Sequence, residues 1–73
     1  MTVFEVLDEQ AKCLEDRARY SCNRDALDRT IVAIDTVLGT IDRFYDAGMI
    51  EIKERGLLQK KLANAMALIQ NEA

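Results

Sequence analysis

Three aspartates, Asp28, Asp35 and Asp42, recur every seven residues, and two thiols, Cys13 and Cys22, stand nine residues apart. Carboxylates held close together do acid–base work or bind hard cations, and thiolates act as nucleophiles or soft-metal ligands, so their spacing decides what chemistry is open. Seven residues of helix rise about 10.5 Å, too far for neighbouring aspartates to share one cation or one proton. The row therefore reads as a solvated face, with Arg29 and Arg43 beside it to supply the opposite charge. On a continuous helix the two cysteines point to opposite sides about 13 Å apart, beyond disulfide reach. They read as small thiols, buried or half-buried, with an intermolecular bond through Cys13 or Cys22 left open. The chain has no histidine, no CxxC and no phosphate-cradling glycine loop. Those absences remove the usual zinc ligand sets and activated nucleophiles, and the expectation is a non-enzymatic protein with no catalytic residue, metal or cofactor.

Basic residues offer a different chemistry. Arg17, Arg19 and Arg24 cluster around Tyr20, and Lys53, Arg55, Gln59, Lys60 and Lys61 follow a glycine-containing turn, as in the second helix of a helix-turn-helix. Net charge argues against nucleic acid as the target. Ten Lys and Arg against thirteen Asp and Glu give a net charge of −3 and a pI near 4.8, whereas affinity for nucleic acid rests largely on neutralised phosphates. Guanidinium groups beside an aromatic ring suit an acidic protein surface or a nucleic-acid phosphate equally well.

The elements that must position these residues are helical. Of the 73 residues 49% are hydrophobic and 32% charged, with no proline, a composition of helix-rich globular chains. Thr2 followed by Glu5 is a capping-box signature for a helix over about 3–20, on which Phe4, Leu7, Ala11, Leu14 and Ala18 form one stripe. That stripe breaks at YSCNRDALD, where Asn23 suits either an N-cap or a helix end, although one bent helix from 3 to 46 is the competing reading. A second helix over about 25–46 carries the strongest pattern, Leu27, Ile31, Ile34, Leu38, Ile41 and Tyr45 at alternating steps of four and three. Ala33, Val37 and Phe44 widen one flank of that seam, so this helix is expected to touch more than one neighbour. A turn over about 47–50, with Gly48 supplying a positive φ and Met49 or Ile50 packing back, leads into a third helix over about 51–70. Leu58, Leu62, Ala65 and Ile69 form its stripe, and Gly39, Gly56 and the alanines at 63, 65 and 67 are expected to let helices approach closely.

Together these predict an all-α single domain, an antiparallel hairpin of the second and third helices preceded by an N-terminal helix. A chain this short buries only about 60% of its unfolded surface, so extra burial in a homodimeric bundle is expected, with the second and third helices paired across a two-fold axis. No apolar run reaches membrane-spanning length and the first ten residues are acidic, which points to a cytoplasmic protein. The function expected is occupancy of a larger regulatory protein, in the manner of phage or mobile-element inhibitors and adaptors. The alternative is a small DNA-binding regulator. Val3, Phe4, Val6, Arg17, Arg19, Tyr20 and Arg24 are the candidate partner-binding residues, with Phe44 and Tyr45 more suited to the core.

Overall fold

The computed structural model describes residues 2–21 and 23–72. Three helices follow one another, α1 (Val3–Tyr20), α2 (Arg24–Asp46) and α3 (Ile52–Glu72). Each begins where a side chain can satisfy backbone N–H groups that have no partner within the helix. The Thr2 hydroxyl accepts from the Glu5 N–H at 3.1 Å, and the same hydroxyl donates to the Glu5 carboxylate at 3.2 Å. Asn23, in extended conformation, accepts from the Asp25 N–H at 2.9 Å and so caps α2, while Ser21 is also extended. A single bent helix from 3 to 46 is thereby ruled out, because two extended residues cannot continue the α-helical ladder. Glu54 folds back to accept from the Glu51 N–H at 2.9 Å, the carboxylate half of a capping box at the start of α3.

Helix α2 ends in a Schellman motif. Gly48 has φ +75°, its N–H donates to the Tyr45 carbonyl at 3.0 Å, and the Met49 N–H reaches the Phe44 carbonyl at 2.9 Å. Ile50 is the residue that packs back and is buried, whereas Met49 is 54% exposed.

Cross-helix pairs fix the topology. Asp42 of α2 accepts from Arg55 of α3 at 3.2 Å, and Arg55 lies over the Tyr45 ring at 4.7 Å, so the hairpin is clamped at its turn. Lys61 of α3 pairs with Asp8 of α1, which places the N-terminal half of α1 beside the first half of α3. Thus α1 and α3 run parallel and α2 runs antiparallel to both, an elongated bundle of 37 × 19 × 16 Å.

The core takes one stripe from each helix: Leu7, Ala11, Leu14 and Ala18; Leu27, Ile34 and Ile41; Leu58, Leu62, Ala65 and Ile69. Thr30 is buried among them, its hydroxyl donating to the Ala26 carbonyl at 2.8 Å and so leaving no orphan donor. Much of the seam, expected to serve as core or as dimer contact, closes within one chain as core, because α1 lies along the hairpin and covers it. Two small-residue expectations fail. A Cβ at Gly39 or Gly56 would meet nothing within 4 Å, and Ala63 and Ala67 are exposed while Ala65 is buried, so only Ala65 serves close approach.

Candidate functional site

Two open grooves flank α2, and both follow from its sequence. Its apolar residues cover more of its circumference than one packing stripe, so some remain at the seams with each neighbour. Between α2 and α3 a groove is lined by Ile34, Leu38, Leu62, Ala63, Met66 and Ala67, with Gln59 and Gln70 at its edge. The floor stays shallow because alanines stand where larger residues would fill it. Between α1 and α2 a wider groove is lined by Glu9, Gln10, Cys13, Leu14 and Arg17 on one wall and Ala33, Thr36, Val37 and Thr40 on the other. Ala33 and Val37 belong to the widened flank of the seam, the signal by which sequence reading reached this wall. The threonines were missed as surface formers. Thr36 and Thr40 donate their hydroxyls to the Val32 and Thr36 carbonyls at 2.9 and 3.0 Å, so their donors are spent on their own helix.

The arginines divide into two groups. Arg19 pairs with Glu15 at 3.6 Å, Arg24 with Asp28 at 3.8 Å, and Arg55 with Asp42 at 3.2 Å. Arg17, Arg29 and Arg43 make no ion pair among the described residues, and all three are exposed. The expectation that Arg29 and Arg43 neutralise the aspartate row is thus corrected: Arg24 pairs with Asp28 and Arg55 with Asp42, and Asp35 has no ion pair among the described residues. Residues adjacent in a helix point about 100° apart, whereas Arg24 and Asp28, four apart, share a face.

The candidate partner-binding residues do not form one patch. Val3 and Phe4 pack partly against the core, while Val6 is 40% exposed. Arg17 lines the α1–α2 groove, Arg19 lines a small depression with Glu15, Asn64, Ala67 and Leu68 on the α3 side, and Tyr20 is 73% exposed. Phe44 and Tyr45 are half-buried, Tyr45 beneath Arg55. Cys13 is an exposed free thiol in the α1–α2 groove, and Cys22 and any bond it makes lie outside the described residues. Among the described residues no three His, Cys, Asp or Glu side chains come together as a metal site. No helix there is long and apolar enough to cross a membrane.

No family model matches this chain, and no curated protein or solved structure is significantly similar to it. The functional reading therefore rests on the surface alone.

Proposed function

We propose that this is a protein-binding protein without enzymatic activity, which dimerises through the α2–α3 face and, as a dimer, docks on and inhibits or modulates a larger regulatory protein. The observation that carries the reading is the α2–α3 groove. Its apolar floor is flanked by the exposed aspartates at 28, 35 and 42 on α2, of which Asp35 has no ion pair among the described residues, and by exposed Lys53 and Lys60 on α3. A two-fold axis along the groove lays the α2 edge of one copy against the α3 edge of the other, acid against base, while Leu38 and Met66 gain cover.

DNA binding is the weaker reading, on two grounds. Helices α2 and α3 stay side by side well beyond their turn, from Asp42 with Arg55 and Gln59 to the groove that Ile34 lines together with Met66 and Gln70, whereas helix-turn-helix elements diverge at a steep angle. In the would-be recognition helix Arg55, Gln59 and Lys61 are already engaged by Asp42 and Asp8, which leaves Lys53 and Lys60.

Light scattering at micromolar concentration tests the dimer. Wild type is expected at twice the 8.3 kDa chain mass, and the double variant Ala63→Glu/Ala67→Glu, altered at exposed positions, at one chain mass with unchanged helical circular dichroism. A wild type that is monomeric and melts cooperatively overturns the dimer.

A further inference from the structure

We infer that Asp35 and Lys60 set the specificity of the α2–α3 contact: across a two-fold axis parallel to the helices, Lys60 of the second copy pairs with Asp35, and the same pair recurs on the other side of the axis. Such a pair rests on the dimer proposed above and names the side chains that select a second copy of this chain over another apolar helix.

The two halves of this face differ in charge. On α2 the stripe beside α3 runs Ile31, Asp35, Leu38, Asp42 and Tyr45, with Asp28 one turn before it, and Arg24, the base next to Asp28, is held by it at 3.8 Å. On α3 the matching stripe, Ile52, Gly56, Gln59, Ala63, Met66 and Gln70, has no charged residue. Lys60 stands at its edge, one turn from both Gly56 and Ala63, exposed and without an ion pair among the described residues. No acid lies within a turn of Lys60 on its own helix, whereas Lys53 is offset by exposed Glu51. The outward stripe of α2 carries Asp25 and Arg43, one of each sign, and adds no bias.

Charge selects the axis, and register selects the pair. A two-fold axis perpendicular to the helices stacks α2 on α2 and sets the aspartate row against itself, which like-charge repulsion disfavours. An axis parallel to the helices stacks α2 on α3 of the second copy and opposes the two signs. Within one chain Asp42 reaches both Arg55 and Gln59, so it is level with Leu57 of the antiparallel α3, and Asp35, seven residues earlier, is level with Asn64. Rotation about an axis parallel to the helices keeps these levels. Lys60 of the second copy therefore stands between Asp42 and Asp35, about 6 Å along the helix from the level of Asp35 and within reach of its four-carbon stem. Asp42 already accepts from Arg55 at 3.2 Å, whereas Asp35 has no ion pair among the described residues, so Asp35 is the carboxylate left for the incoming lysine.

The test is charge reversal followed by mixing. Asp35→Lys and Lys60→Glu are made separately, both at exposed positions, with folding checked by helical circular dichroism and melting. Each alone sets like charges together twice across the axis, and is expected to dimerise at least about tenfold more weakly than wild type in light scattering over a concentration series. An equimolar mixture of the two is expected to form a heterodimer at close to wild-type affinity, because the new lysine meets the new glutamate while the remaining Asp35 meets the remaining Lys60. A second pair, Asp35→Arg with Lys60→Asp, should behave alike. Three results overturn the inference: a folded variant that dimerises as wild type does, two weakened variants that fail to complement each other, or a monomeric wild type, which removes the dimer reading as well. A wild-type dimer that Ala63→Glu/Ala67→Glu dissociates while charge reversal leaves it intact keeps the dimer and discards the pair.

Discussion

Gly48, Gly39 and Gly56 are the same residue type in three physical situations. At Gly48 the backbone has φ +75° while the space around a Cβ is open, so any cost of a side chain there is conformational and not steric. Gly48→Val is expected to lose 1 kcal/mol or more, on the order of the left-handed penalty for a side-chain-bearing residue, and to lower the melting temperature by about 4–8 °C or more. Gly39 and Gly56 lie in exposed helix interiors with equally open space. Alanine at either position is expected to raise stability by about 0.5–1 kcal/mol, because it narrows the unfolded ensemble without strain in the fold. Thermal melts of the three variants check both signs; a Gly39→Ala protein that melts lower would mean that something closes on that helix face.

At the scale of elements, α2 is the helix on which the others depend. Its core positions face both neighbours, and Ile34, fully buried midway along it, also reaches the floor of the α2–α3 groove. Ile34→Asp places a carboxylate among Leu62 and its neighbours with no cation to pair it, at a cost of several kcal/mol in a chain this small. Loss of a cooperative melt and of most helical circular dichroism is expected. Local hydrogen bonds mark both ends of α2: Asn23 caps the start and the Schellman bonds at Gly48 and Met49 close the end.

For the whole molecule the decisive event is the docking of α1 along the hairpin. Apolar contact, not charge, holds it. Leu7→Ala removes a side chain that is 2% exposed and is expected to cost about 2–5 kcal/mol, whereas Asp8→Ala breaks only a part-exposed pair with Lys61 and is expected to cost about 1 kcal/mol or less. Chemical denaturation of the two variants compares them directly; equal losses would assign the docking of α1 to the ion pair.

What the chain determined by itself is local. Capping at Thr2 and Asn23, the glycine turn at 48 and the 3–4 spacing of Leu7 to Ala18, Leu27 to Ile41 and Leu58 to Ile69 all act within a few residues. Such signals are written into sequence because hydrogen-bond geometry and helical period are properties of neighbours in the chain. That α1 covers the hairpin needed the tertiary structure, since an apolar stripe states that it will be buried but not against what. The candidate site was legible on one wall only. Ala33 and Val37 stood out as surplus apolar surface, and Arg17 as a partner-binding candidate, but their meeting across one groove depends on α1 folding back antiparallel to α2. The pairing of Arg24 with Asp28 and Arg55 with Asp42, which leaves Arg17, Arg29 and Arg43 without ion pairs among the described residues, was settled in the same way: helix rotation and inter-helix register decide which charges meet, and proximity along the chain does not.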